Sequence, residues 1–208
     1  MPDIHKDMEE HVLVFPAALL KSTGYFQGLS FDTKKYLPAL MNPDNHLYKQ
    51  RKEVETNPEF KQLIPYVIFH CGTQVFTYRR GKLLGEKRLL GSYSLGVGGH
   101  ISITDPGLFG STYMEGLKRE VSEEVTIGSA YSERLVALLN DDTNEVGKVH
   151  LGVVHAFTLA KPEVQPKEKS INETKFMDLR QLKEKSPEFE NWSKICIEEI
   201  DALLDIKS

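Results

Sequence analysis

From residue 63 the chain reads Leu63-Ile-Pro-Tyr-Val-Ile-Phe-His70, passes through Cys71-Gly72-Thr73, and continues as Gln74-Val-Phe-Thr-Tyr-Arg79. Two runs rich in β-branched and aromatic residues, joined by a short glycine-containing turn, predict a β-hairpin. Shorter strand candidates follow at 93–97 and 101–104, the second closed by the turn signal Asp105-Pro106-Gly107. Residues 111–125 then place Met114, Leu117, Val121 and Val125 at spacings of three or four, one apolar helical stripe. Strands are expected again at 134–139 and 149–159 around the polar loop 140–147, and at 175–177 after a second loop, 161–172. Ser186-Pro187 opens a final amphipathic helix that repeats Phe189, Trp192, Cys196, Ile200 and Leu203 on one face. Strands interleaved with helices make the chain α/β.

Residues 1–62 have a different texture. One apolar stretch, His11-Val-Leu-Val-Phe15, precedes polar segments interrupted by Pro16, Pro38, Pro43 and Pro58. Asp32-Thr33 can cap a short helix reaching Leu37, and 47–54 reads as another. The segment is expected to be an N-terminal extension of a domain spanning 63–208. At 208 residues and 40% hydrophobic, the chain is long enough for one sizeable core. Its 26 Lys+Arg against 30 Asp+Glu leave a net charge of −4 and no basic field for long nucleic acid. No apolar run approaches the roughly 20 residues that span a bilayer, and residues 1–7 precede no signal-peptide core, so a soluble, cytoplasmic protein without membrane partners is expected. Cys71 and Cys196 sit among apolar neighbours and read as core thiols.

The chemistry concentrates in Arg119-Glu120-Val121-Ser122-Glu123-Glu124-Val125. At about 100° per residue, Glu120, Glu123 and Glu124 share one helix face while Val121 and Val125 turn to the core. Like charges so placed repel, and a hard cation such as Mg²⁺ or Mn²⁺ would relieve that repulsion. A solvated acidic face is the plainer alternative. The position of the helix after Gly98-Gly99 adds a resemblance: the stretch is similar to the signature box of the Nudix hydrolases, a Gly, five residues, a Glu, seven residues, then Arg-Glu-hydrophobic-any-Glu-Glu-any-Gly-hydrophobic. Arg119, Glu120, Val121, Glu123, Glu124 and Ile127 match it. Ser111 stands where the family has the first Glu, eleven residues instead of five separate Gly99 from Ser111, and Thr126 replaces the last Gly. Glu115, one turn before Arg119, is a candidate substitute for the missing acid.

The resemblance implies an α/β/α sandwich around a mixed sheet, residues 1–62 packed on or beside the cleft, and metal-dependent hydrolysis of a phosphoanhydride in a small-molecule diphosphate, a nucleoside diphosphate derivative or relative. It further implies Glu120, Glu123, Glu124 and the Gly99 carbonyl as ligands of Mg²⁺ or Mn²⁺, Glu120 or Glu124 sharing base duty, and Arg119 orienting the carboxylates. An acid outside the box is expected, with Glu168 preferred over Glu173, Asp141, Asp142 and Glu145. Arg79, Arg80, Lys82, Lys87 and Arg88 form a local basic cluster suited to substrate phosphates, although for any one of them an ordinary surface charge is the plainer reading. Tyr66, Tyr78, Tyr93 and Tyr113 are either core residues or stacking surfaces for a base. Oligomeric state is open; dimers are common in the family, and the N-terminal segment could mediate one.

Two other functions share this outline. Isopentenyl-diphosphate isomerases carry Cys-Gly-His where this chain has Gly98-Gly99-His100, so His100 matches a metal-binding histidine there, but the catalytic cysteine position is Gly98 and the strand 148–150 lacks their Glu-x-Glu pair. His100 is thus a candidate auxiliary ligand or substrate contact. A non-catalytic nucleotide-binding module is the other, favoured by Ser111 and Thr126 and opposed by the intact acidic core.

Overall fold

The computed structural model describes residues 10–81, 91–105 and 112–206. The chain is mixed α/β. Its strands in order are β1 (His11–Pro16), β2 (Gly28–Ser30), β3 (Leu47–Gln50), β4 (Phe60–Cys71), β5 (Gln74–Arg80), β6 (Tyr93–Ser94), β7 (Gly96–Val97), β8 (Val125–Ile127), β9 (Tyr131–Asn140), β10 (His150–Leu159), β11 (Val164–Pro166) and β12 (Ile171–Asp178). The residues group into two compact units, Met1–Pro65 with Gly99–Arg119 and Ala137–Val153, and Tyr66–Gly98 with Glu120–Val136 and Val154–Ser208.

In the first unit β1 is a central element. Val12, Leu13, Val14 and Phe15 are all buried, and β1 pairs antiparallel with β3 (His11 opposite Gln50) and with the start of β4 (Phe15 opposite Lys61). This pairing explains why residues 47–54 are not one helix. Their first half is strand β3, committed to a partner more than thirty residues away, and only Arg51–Val54 is helical. The helix expected to stop before Pro38 runs Thr33–Leu40, and Asp32 makes no side-chain cap. Burial of Tyr36 and Leu40, with Phe26 edge-on to Tyr36 at 5.1 Å, carries it past the proline. The strand expected at 101–104 shrinks to one bridge, Ser102 opposite Val12. There the Asp105 carboxylate takes the Ser102 N–H at 2.7 Å and bends the chain. β2 pairs antiparallel with the end of β9, Leu29 opposite Leu139.

The second unit contains the predicted hairpin, His70 opposite Val75 and Cys71 opposite Gln74. β12 lies antiparallel on the other side of β5, β7 pairs with β4 and β6 with β5. Phe69 meets Phe76 and Phe157 edge-on at 6.2 and 5.4 Å, giving the unit an aromatic core. The loop expected at 161–172 carries a strand after all, because β11 pairs with β8 directly after the acidic helix. The C-terminal helix starts later than Ser186. Residues Ser186–Glu188 form a 3₁₀ turn, and helix Asn191–Glu198 begins where Glu190 accepts the Trp192 and Ser193 N–H groups. A separate helix, Ile200–Leu204, follows. Among the described residues no helix is long and apolar enough to cross a membrane. Cys196 is buried and Cys71 partly so, both as free thiols.

Candidate active site

The acidic helix spans Thr112–Glu124, one residue inside each predicted end. Residues up to Arg119 belong to the first unit and residues from Glu120 to the second. Within the first unit, helix and preceding loop lie so close that a Cβ added to Gly116 would fall 2.5 Å from Ile101 Cδ1 and 2.7 Å from Asp105 Oδ2. That approach lets Arg119 reach Asp105. Its Nε donates to Asp105 Oδ1 at 2.5 Å, and Nη2 donates to Oδ2 at 3.1 Å and to the His100 carbonyl at 2.9 Å. The Asp105 side chain is 1% exposed, so this two-point pair is shielded from solvent on the carboxylate side. The arginine therefore fixes the segment that leads into the helix. Asp105 had looked like a turn residue only, and no spacing rule links it to Arg119.

Within the second unit, Glu120 and Glu124 are half-buried and Glu123 is exposed. Burial first, and then the Glu120 charge, push the Glu124 carboxyl up to about 8; Arg80 and a Gly98 main-chain hydrogen bond pull the other way, while Glu168 adds to the rise. The Glu124 Oε2 is buried with no hydrogen-bond partner among the described residues. Such an acceptor is costly unless a proton or cation meets it. Gly98, which supplies the main-chain contact, has φ +151°, a conformation that side-chain-bearing residues rarely adopt.

Glu168 is held close to this face by the main chain. The Lys167 and Glu168 N–H groups donate to the Glu124 carbonyl at 2.9 and 3.5 Å, and the Glu168 side chain, exposed apart from a 2.9 Å bond from Ser170, remains accessible. The other acids considered are engaged elsewhere. Glu173 has φ +47° and pairs with Arg79; in the first unit Asp141 organises its own loop through Thr143 and Asn144, Asp142 pairs with Lys61, Glu145 with Lys148, and Glu115 with Lys118.

Adjacent residues on β5 point to opposite faces, and the two arginines divide accordingly. Arg80 is half-buried, donates to the Tyr78 hydroxyl at 3.3 Å and is coupled to Glu124; although burial opposes its charge, Tyr78, Glu190 and Glu124 hold its guanidinium more firmly protonated than usual. Arg79 is exposed, pairs with Glu173 at 3.3 Å and lies over the Tyr93 ring. Lys82, Lys87, Arg88 and Ser111 lie outside the described residues. Tyr66, Tyr78, Tyr93 and Tyr113 are all buried core residues. His100 belongs to the first unit, where burial and then Arg51, His150 and Arg119 hold its imidazole well below the usual range, hence neutral.

No family model matches the sequence. YmaB of Bacillus subtilis (strain 168) is 34% identical over 202 residues, spanning 92% of this chain and 97% of YmaB. The crystal structure of Tm1382, a candidate Nudix hydrolase, is 31% identical with TM-score 0.77, covering 95% of this chain and all of Tm1382. The chain belongs to the Nudix hydrolase family. The Nudix fold also relates it to a bifunctional NMN adenylyltransferase/ADP ribose pyrophosphatase of Francisella tularensis, solved with AMP and a manganese ion (TM-score 0.52, 13% identity, 69% of this chain and 42% of the other). The helix Thr112–Glu124 is accordingly this chain's form of the Nudix box, with Thr126 already in β8 where the box pattern has its last glycine.

Proposed function

We propose that this Nudix protein is a metal-dependent pyrophosphohydrolase acting on a phosphoanhydride bond of a nucleoside diphosphate derivative or similar small diphosphate. The observation that carries the reading is Glu124: a half-buried carboxylate with one buried oxygen that has no hydrogen-bond partner among the described residues, next to Glu120 and within electrostatic reach of Glu168. Oxygen donors in this number suit a hard divalent cation, with Glu120, Glu123 and Glu124 as ligands. Manganese in the Francisella protein makes Mn²⁺ the first cation to try, with Mg²⁺ beside it. Such a cation supplies Lewis-acid activation of a phosphoryl oxygen and of the attacking water.

The protein's own residues do the rest. Glu168, accessible and anchored through its main chain to the end of the box helix, accepts the proton of the attacking water. Arg80 balances the charge of Glu124 and keeps its carboxylate available to a cation. Arg79, exposed on the other face of β5, is free to meet a substrate phosphate only by leaving Glu173. Arg119 with Asp105 holds the segment from His100 to Asp105 that precedes the helix.

A panel of nucleoside diphosphate sugars, dinucleoside polyphosphates, NADH, ADP-ribose and nucleoside triphosphates, assayed with and without Mn²⁺ or Mg²⁺, tests the proposal. Metal-dependent release of a phosphate-containing product from at least one is expected. Tight binding without turnover across the panel would overturn hydrolysis in favour of a binding module.

A further inference from the structure

Outside the box carboxylates, the first unit gathers a second group of ligand-type side chains. One ligand atom each from Glu55, His100 and His150 lie within 4.8 Å of one another. Glu55 follows the short helix Arg51–Val54, His100 follows the glycine pair, and His150 opens β10, so three distant parts of the sequence converge. The two imidazoles stand edge to face with centroids 5.6 Å apart.

We propose that Glu55, His100 and His150 form a binding site for one divalent transition-metal ion of the Zn²⁺ type. His100 Nε2 is buried and has no hydrogen-bond partner among the described residues, leaving a nitrogen that gains from a cation. His150 is oriented from its other nitrogen. Its Nδ1 lies 2.7 Å from the Val146 carbonyl and must donate to it, which places the lone pair on Nε2, as at metal-binding histidines. Both main chains are fixed. The His100 carbonyl takes Arg119 Nη2, and the His150 carbonyl is one of four acceptors of the buried Lys61 ammonium, with Gly147, Lys148 and Asp142, at 2.8 to 3.2 Å.

Arg51 is the competing cation. Its Nε donates to Glu55 Oε1 at 3.1 Å and its Nη1 to Glu10 Oε2 at 3.2 Å. It is thus shared between two carboxylates, and an ionised carboxylate accepts at about four lone-pair positions, so Glu55 can serve Arg51 and a metal together. Metal bonds of about 2.0–2.2 Å require donors closer than the 4.8 Å limit seen here, a contraction that side-chain rotation supplies. Two imidazoles and one carboxylate favour Zn²⁺ and its first-row neighbours over Mg²⁺, the reverse of the all-oxygen box. Three protein ligands also leave a coordination position open.

The test is Zn²⁺ binding to the full chain, measured by competition with a chromophoric chelator and by metal analysis after dialysis, with Co²⁺ absorption as a spectroscopic check. One Zn²⁺ per chain is expected for the wild type and for Glu124→Gln, with affinity reduced about ten- to a hundredfold or more in His150→Gln and in Glu55→Gln. Glu55→Gln changes one charge on a half-buried side chain, so it keeps the test decisive if the histidine variant fails to fold. Unchanged Zn²⁺ affinity in Glu55→Gln, or loss of Zn²⁺ in Glu124→Gln but not in His150→Gln, would overturn the site.

Discussion

Glu124 is held between two requirements. The hydrophobic stripe of its helix draws it inward, and loss of solvent, then the Glu120 charge one turn away, resist its ionisation, so without a cation it binds a proton up to about pH 8. An unfolded chain would release that proton near 4.5. Between these values the native state holds more protons than the unfolded one, so the stability of the metal-free protein falls as pH rises through that window. Glu124→Gln keeps the shape and removes the titration. Its thermal midpoint in chelator should match wild type near pH 4.5, then exceed it increasingly up to about pH 8 and level off; a pH-independent difference would exclude the buried carboxyl as the cause. Asp105 carries the opposite kind of burden. Asp105→Ala leaves Arg119 without its paired carboxylate and Ser102 N–H without an acceptor, and should lower stability by about 3 kcal/mol in urea unfolding with an unchanged slope. Of these residues, the box glutamates could be placed on one helix face from spacing, and their reading as ligands came from the resemblance. Asp105, Glu55 and His150 were not, because each matters through a partner that is distant in sequence or is not at a helical interval.

Local patterns transferred to elements where the element closes on itself. The β4–β5 hairpin and the helix Thr112–Glu124 are set by a turn and a stripe contained within their own residues. Residues 47–54 mislead because β3 answers to β1, and the C-terminal helix starts late because Glu190, a residue with no capping signature, takes up the first N–H groups. Close packing of the acidic helix on the Ile101–Asp105 segment depends on Gly116. Alanine there gains about 1 kcal/mol in helix propensity, but its Cβ would meet Ile101 and Asp105 at under 3 Å. Overpacking of this kind costs about 1–3 kcal/mol. Gly116→Ala should therefore be no more stable than wild type and should lower turnover by displacing Arg119; a clearly raised unfolding midpoint with full activity would show that the segment yields freely.

At the scale of the molecule, the small net negative charge describes the chain poorly. Carboxylates grouped in one unit and two imidazoles with a carboxylate in the other create two local environments of different chemistry, neither visible in a total of −4. The fold class could be read because strand and helix periods alternate through most of the chain, and the family because the box survives in one contiguous stretch. Substrate choice could not, since the loops that would set it carry no short pattern. The central claim is that the box carboxylates support metal-dependent hydrolysis. Losing one ligand should forfeit several kcal/mol of transition-state stabilisation, which at about 1.4 kcal/mol per factor of ten is a hundredfold or more. The most direct measurement is kcat/KM with Mn²⁺ for wild type and Glu124→Gln on whichever diphosphate the wild type cleaves fastest. A drop of at least about a hundredfold in a variant whose circular dichroism is unchanged is predicted; turnover within a few-fold of wild type would contradict the account.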